Sequence, residues 1–149
     1  MKACEGRIGR VFVMRLEHGD VIPDVIERFA EEKRISAGHV VLVGGIGDGE
    51  VVVGPRHSDE RRPQPVLLPV TGAHEVLGLG VIAPDPDGKP VLHIHAALGR
   101  SGQTMTGCLR PGVTTWVVGE AIVYEILDVH VRREEDEETG FTLLEIQHG

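Results

Sequence analysis

Two histidines, His93 and His95, stand two residues apart in a segment that is otherwise small or apolar. Residues i and i+2 of a β-strand point to the same face of a sheet, so a strand here places the two imidazoles side by side. Leu92 and Ile94 alternate with them and are predicted to line the opposite, buried face. Adjacent imidazoles suit zinc or a similar divalent cation, whereas the alternative is that both histidines are structural and bond to nearby groups.

Cys108 lies on a second alternating segment, residues 104–110, which follows a short turn that contains glycine. In an antiparallel hairpin, one register keeps the polar side chains of both segments on one face, because a slip of one residue would move them into the core. That register sets His95 opposite Cys108 and His93 opposite Arg110. Directly opposed Cβ atoms lie about 4.5–5.5 Å apart, so the pattern predicts that His93, His95 and Cys108 converge on one point.

Two imidazoles and a thiolate form a ligand set for zinc or a similar divalent metal. Three protein ligands leave one coordination position open, as in catalytic rather than structural zinc sites. We expect Arg110, at the edge of this set, to orient a small anionic ligand. If the domain is an enzyme, a metal-bound water is the expected nucleophile or base, but the sequence specifies neither a reaction nor a substrate.

The strand predicted at residues 74–82 begins with two further ionisable residues, His74 and Glu75. Because they are adjacent, their side chains must point to opposite faces of the sheet. His74 is a fourth candidate ligand, or a hydrogen-bond partner of the other histidines. Glu75 shares its face with three aliphatic residues, so we expect it either at the rim or bonded to a partner, and such a carboxylate is more often structural than catalytic.

The composition is that of one globular domain spanning residues 1–149, with 41% hydrophobic and 26% charged residues. The formal net charge of −8 opposes nucleic-acid binding, which depends on lysine and arginine neutralising phosphates. No apolar run approaches the ~20 residues of a membrane span, and the N-terminal residues do not form a signal-peptide pattern. Only two cysteines are present, so a reducing, cytoplasmic location is favoured.

An amphipathic helix is predicted at residues 21–33, where apolar residues recur at helical spacing. Gly38 is the residue predicted to end it, because glycine adopts the left-handed cap conformation easily. Strands are predicted on either side, at residues 7–16 and 39–43. The glycine-rich run 44–49 lacks a phosphate-binding pattern, so we interpret it as a tight turn or a bulge before another strand.

The longest extended run covers residues 113–127 and is mostly apolar on both faces. One helix cannot cover both sides of a sheet, so we predict that another subunit covers the second side. Residues 55–69 form a long, proline-rich loop that either covers the site or crosses the surface. Near the C-terminus, residues 132–140 are predicted to be a solvated charged loop, followed by a last strand at residues 141–146.

Several motifs follow one another in a fixed order between about Arg7 and Ile126. They are Gly9-Arg10-Val11-Phe12-Val13-Met14-Arg15-Leu16-Glu17-His18-Gly19 and the helix after it, Gly38 through Gly47, His74-Glu75-Val76-Leu77, Pro90-Val91-Leu92-His93-Ile94-His95 and Gly107-Cys108-Leu109. Together these motifs resemble the plants-and-prokaryotes conserved (PPC) domain family. The resemblance implies an α+β fold with a mostly antiparallel sheet of about seven strands, one main amphipathic helix and a homotrimeric assembly.

The resemblance also bears on the histidine strand. Some stand-alone prokaryotic members of the family resemble metal proteins, with the His-x-His pair and a histidine after the Gly-Gly of the next strand. That last position is Cys108 in this chain, which keeps a metal-ligand type and strengthens the expectation of zinc or a similar divalent metal.

The same resemblance carries a second interpretation. Plant members of the family follow DNA-binding AT-hooks and serve in assembly and nuclear partner contacts, and prokaryotic members are often labelled DNA-binding by analogy. This chain contains no AT-hook, since no Arg-Gly-Arg core occurs in a basic run. The alternatives to a trimeric metal or small-ligand domain are therefore a DNA-associated or regulatory scaffold with structural histidines, and a pure interaction module.

Overall fold

A computed structural model of the chain describes residues 1–147. Within that range the chain forms ten strands and one helix. In chain order they are β1 (Arg7–Glu17), β2 (Val21–Ile22), α1 (Asp24–Lys33), β3 (Gly38–Pro55), β4 (Pro65–Val70), β5 (His74–Pro84), β6 (Pro90–Arg100), β7 (Gln103–Cys108), β8 (Val113–Leu127), β9 (Val131–Glu135) and β10 (Thr142–Ile146). In the same range, no helix is long and apolar enough to span a membrane.

Eight of the strands form one antiparallel sheet, in the order β1-β8-β3-β5-β6-β7, with β2 paired to β8 and β4 paired to β3. The strands β9 and β10 pair with each other as a separate hairpin. The predicted α+β class and the mostly antiparallel sheet are confirmed. The predicted number of about seven strands is one too few for the main sheet.

The core lies on the face of the sheet that α1 covers. Strand β6 shows the predicted alternation, because Leu92, Ile94, Ala96 and Leu98 are all buried while His95 between them is exposed. The helix contributes Ile26 and Ala30, which are fully buried, and its charged residue Glu27 accepts a hydrogen bond from the backbone N–H of Leu92 in the sheet. Burial of such apolar area is the main stabilising term in a domain of this size.

The helix is shorter than predicted at its N-terminal end. It begins at Asp24, because Val21 and Ile22 instead pair with Thr114 and Val113 of β8. Both of the paired residues are β-branched and fit a strand well, and their partners lie about ninety positions away in the sequence. At the other end the left-handed residue is Arg34, at φ 56°, rather than the predicted Gly38, which begins β3.

Strand β3 runs for 18 residues through the glycine-rich segment that we interpreted as a turn or a bulge. The bulge is the correct alternative: its register against β8 shifts twice, between Gly44 and Ile46 and between Ile46 and Gly49. At Gly45, a Cβ atom would lie 2.5 Å from the carbonyl oxygen of Trp116. The glycines therefore allow β8 to approach β3 more closely than a side chain would permit.

The face of the sheet opposite the helix is apolar and largely exposed. Direct strand pairing places Val41 beside Leu79, and Leu79 beside His95, in one row across the sheet. Leu79 is 57% exposed and Leu77 is 60% exposed, so residues 1–147 leave this part of the face uncovered. The predicted strand at residues 113–127 is confirmed with its bounds, but only the helix-facing side of it is buried.

The C-terminal segment differs from the prediction. Residues 131–135 form a strand, and Arg133 within it is buried at 4% exposure. The prediction of a solvated loop at residues 132–140 is therefore wrong for residues 132–135. The turn of the hairpin begins after the end of β9. In this turn Asp136 accepts hydrogen bonds from the backbone N–H and the hydroxyl of Thr139. An arginine buries its aliphatic stem readily, so charge alone does not indicate exposure.

Candidate metal and ligand site

The hairpin of β6 and β7 has the predicted register. His95 pairs with Cys108 and Ala96 with Gly107, and the backbone N–H of Leu109 donates to the carbonyl of Ile94 at 3.0 Å. The turn between the strands uses Ser101 in the left-handed conformation, at φ 52°. This local geometry brings the thiol and the two imidazoles to the same side of the sheet.

His93, His95 and Cys108 form a compact cluster at the edge of the exposed apolar face. Their candidate ligand atoms all lie within 4.8 Å of one another. The two Nε2 atoms of the histidines are 3.0 Å apart, and their ring planes are inclined at 75°. Cys108 is buried, His93 is half-buried and His95 is exposed, so the cluster is open to solvent on one side.

The surroundings keep the cluster histidine His93 neutral. Its pKa is lowered to about 4, mainly by burial, with the nearby charges of Arg133, His95 and Arg110 acting in the same direction. Burial also lowers the pKa of Arg133, with a smaller contribution from Arg110. A neutral imidazole is the form that donates a lone pair to a metal ion, so His93 can act as a ligand over the whole neutral range.

Two cavities adjoin the cluster and share His93, Arg110 and Thr142. The first, of about 450 Å³, is lined by all three cluster residues and by apolar groups. The second, of about 490 Å³, lies against the N-terminal end of α1 and includes the side chain of Arg133. Arg110 lines both cavities together with His93, but the strand pairing ends at His95 and Cys108, so the predicted pairing of His93 with Arg110 is not part of the ladder.

The model of the Plants and Prokaryotes Conserved (PCC) domain family matches residues 3–127 of this sequence. The chain belongs to this family. The match contains the whole main sheet, the helix and all three cluster residues. The hairpin of β9 and β10 lies outside it.

Solved structures similar to this PCC domain cover almost the whole chain. The metal-containing protein AF0104 from Archaeoglobus fulgidus is 28% identical, with a TM-score of 0.82 over 96% of this chain and 98% of that one. A plant- and prokaryote-conserved protein from Pyrococcus horikoshii is 19% identical, with a TM-score of 0.83 over 99% of both chains, and supports the fold alone. The same limit applies to a candidate DNA-binding protein from Ralstonia eutropha JMP134, which is 23% identical with a TM-score of 0.74 over 91% of this chain and 90% of that one.

Among curated proteins, the PCC domain is similar to the bifunctional protein GlmU of two Synechococcus strains. Strain JA-3-3Ab gives 28% identity and strain JA-2-3B'a(2-13) gives 26%, each over 93% of this chain. The chain spans only 21% and 20% of the length of these relatives. The similarity therefore concerns one part of each of them.

Two of the predicted site residues lie away from the cluster. His74 pairs with Ile46 at the far end of β5, and its Nδ1 atom lies 2.9 Å from the carbonyl oxygen of Gly72. Glu75 faces the same side as the cluster but pairs with Gly99, four residues beyond His95 along β6. The structure therefore does not bring His74 to the cluster, because it lies five residues before Leu79, the residue of β5 that pairs with His95.

Arg133 is the site residue that the sequence analysis missed. It reaches the site from β9, and one of its terminal nitrogens donates to the carbonyl of Val81 at 3.2 Å. The only available signal was weak: Val131 and Arg133 alternate with Arg132 and Glu134, which pair with each other on the outer side. A run of seven charged residues, at positions 132–138, hides that alternation, since period-two patterns are normally recognised by apolar side chains.

Proposed function

We propose that this PCC domain is a cytoplasmic homotrimer that binds a divalent metal ion, with zinc the best match, through His93, His95 and Cys108. The observation that carries the proposal is the convergence of three donor atoms within 4.8 Å. The similarity to the metal-containing protein of Archaeoglobus fulgidus, at 28% identity over nearly the whole chain, supports it.

The donor set fits zinc. Two ligand atoms on one tetrahedral zinc ion lie roughly 3.5 Å apart, given bond lengths of about 2.0–2.3 Å. The separation of 3.0 Å between the histidine nitrogens is close to that value, and the upper limit of 4.8 Å exceeds it by an amount that side-chain rotation can close. A bound divalent ion with three protein ligands supplies a Lewis-acid position for a water or an anion.

The residues around the cluster select which molecules can reach the open coordination position of a bound metal ion. Arg110 borders the cluster and carries a positive charge, so it favours an anionic ligand over a neutral one. The cavity beside the cluster opens to solvent past the exposed His95. The proposal is thus a site for a small anionic molecule rather than a buried structural metal.

The homotrimeric part of the proposal rests on the exposed apolar face and on the family. Leu77 and Leu79 are more than half exposed in the single chain, and they lie in a continuous aliphatic patch. Contiguous apolar surfaces of this kind mark sites of association. Because His95 pairs directly with Leu79, subunit association would also enclose the cluster from one side.

Elemental analysis of protein purified without a histidine tag tests the metal site. We expect about one zinc ion per chain in the wild type, and a strong loss of bound zinc in Cys108→Ala and in His93→Ala. The matched control is Cys4→Ala, because Cys4 is exposed and lies outside the cluster. Circular dichroism should show that all variants are folded, since neither cluster residue belongs to the helix-facing core.

Two outcomes would contradict the proposal. One is a wild-type protein without metal that also fails to take up zinc on addition. The other is a Cys108→Ala variant that keeps its metal as well as Cys4→Ala does. Salt-dependent DNA binding by the metal-free protein would instead favour the DNA-associated scaffold.

A further inference from the structure

Arg133 is a buried guanidinium without an anionic partner. The residue is 4% exposed, and its Nε atom has no hydrogen-bond partner. Among residues 1–147, its one hydrogen bond is the contact of a terminal nitrogen with the carbonyl of Val81. No carboxylate of residues 1–147 lies within ion-pair distance of it. Burying an unpaired charge is strongly unfavourable, so the position indicates a group that the chain itself does not supply.

The nearest charges increase this imbalance. Arg110 lines the same cavity, so two guanidinium groups border one space. The cavity wall also carries four carboxylates, and two of them accept backbone N–H groups: Glu27 accepts that of Leu92, and Asp85 accepts two from its own turn. Asp24 and Glu135, also on the wall, form no ion pair with Arg133 within the described chain.

The lining of the adjoining cavity indicates the chemical character of the rest of a ligand. Arg110, His93 and Thr142 line both cavities, so the cavity that Arg133 lines adjoins the space of about 450 Å³ at these residues. Apart from the cluster, that space is walled mostly by apolar side chains, which are Val52, Pro65, Phe141 and Leu143. An apolar substituent is the chemical complement of these walls.

We propose that Arg133 and Arg110 together bind the carboxylate of a small molecule whose apolar substituent fills the cavity beside His93, His95 and Cys108. A carboxylate matches the planar donor fork of a guanidinium, and it would balance the charge of Arg133, which no carboxylate of residues 1–147 pairs with. The hairpin of β9 and β10, which lies outside the family match, supplies both Arg133 and the apolar wall formed by Phe141 and Leu143. This proposal specifies the class of the small anionic ligand in the proposed function, and it rests on that part of the proposed function.

Isothermal titration of the zinc-treated protein with benzoate tests the proposal, because benzoate joins a carboxylate to an apolar ring. Benzamide, which has the same shape without the charge, is the matched control ligand. Arg132→Met is the matched control variant, because Arg132 lies next to Arg133 on β9 but pairs with Glu134 on the other side. We expect Arg133→Met and Arg110→Met to weaken benzoate binding at least about tenfold, Arg132→Met to leave it unchanged, and benzamide to bind at least about tenfold more weakly than benzoate.

Thermal melting separates a binding role from a structural one. Without ligand, Arg133→Met should melt no lower than the wild type, because it removes a buried unsatisfied donor. If it fails to fold, Arg133→Lys keeps a charge but lacks the Nε donor and the fork, and should still weaken benzoate binding. The proposal is overturned if benzoate does not bind, if benzamide binds as tightly, or if the Arg133 variants bind like Arg132→Met. Zinc content is measured on the same samples, so the metal proposal can fail independently of this one.

Discussion

The pair of Glu125 and Arg10 joins three elements of the fold, and the replacement of Glu125 gives a quantitative test. Its carboxylate accepts bonds from the backbone N–H of Arg10 at 3.0 Å and from two side-chain nitrogens of Arg10 at 2.8 and 2.6 Å. Arg10 also donates to the carbonyl of Lys33 at the end of α1. Gly9 makes room for the pair, because a Cβ atom there would lie 2.7 Å from the Glu125 carboxylate.

The change Glu125→Gln should lower the free energy of unfolding by about 1–2 kcal/mol at neutral pH. Hydrogen bonds to a charged group contribute about 1.5–3 kcal/mol when they are well formed. The Glu125 side chain is 8% exposed, but that of Arg10 is 50% exposed, so solvent screening reduces the contribution of the pair. The amide of glutamine can keep only part of the donor pattern, since it has one acceptor oxygen in place of two.

The difference between wild type and variant should depend on pH. The side-chain bonds from Arg10 lower the pKa of Glu125 from 4.5 to about 2, against the opposing effect of burial. Because the pKa is lower in the folded chain, the stabilisation is fully present above about pH 4.5 and is lost as the pH falls towards 2. Glutamine does not titrate, so the stability of Glu125→Gln lacks this pH-dependent contribution.

Urea unfolding followed by circular dichroism, at one protein concentration and at pH 7, 4.5 and 3, measures the difference. Glu120→Gln is the matched control, because Glu120 is on the same strand and exposed. The reasoning is refuted if Glu125→Gln is as stable as Glu120→Gln at pH 7, or if the deficit of Glu125→Gln is as large at pH 3 as at pH 7.

Three further changes test other parts of the structure. Leu79→Glu places a charge on the exposed apolar face and should convert a trimer to monomers in light scattering, whereas Glu31→Gln on the helix should not; a stable wild-type monomer at micromolar concentration would contradict the trimer. Gly107→Ala should destabilise the chain by about 1–3 kcal/mol in urea unfolding and weaken zinc binding. The new Cβ would lie 2.4 Å from the carbonyl oxygen of Val52 and would displace the strand that holds Cys108. Unchanged stability would contradict this prediction, because it would show that the two strands can separate without cost. With a net charge of −8, duplex DNA should bind no more tightly than about 10⁻⁴–10⁻⁶ M at physiological salt in a fluorescence titration, and nanomolar sequence-specific binding would contradict this.

Local patterns predicted the cluster because its residues belong to one hairpin. The alternation of β6 and β7 specifies which side chains share a face, and the short turn limits the register, so the approach of His95 to Cys108 followed without knowledge of the other strands. The strand at residues 113–127 was equally clear, since its length and β-branched content leave little choice.

Errors arose where the partner of a segment is distant in the sequence. Val21 and Ile22 continue a helical pattern, yet pairing with β8 makes them a strand. The glycine run remains part of β3 because β8 and β5 supply hydrogen bonds on both sides of it. These partners are distant in the sequence, so local propensity cannot predict this pairing. His74 was expected near the cluster because it lies on the neighbouring strand, but its place along that strand depends on the register between β5 and β6.

By itself, the sequence determined the face, the order and the chemical type of the three candidate ligands. Their period of two and the short hairpin are properties of adjacent residues, and the family motifs span the same region. Only the tertiary structure decided that Arg133 is buried beside them and that two cavities meet at His93 and Arg110. The physical reason is that burial of a charged side chain depends on which distant strand packs over it, and a run of charged residues has no local pattern that reports this.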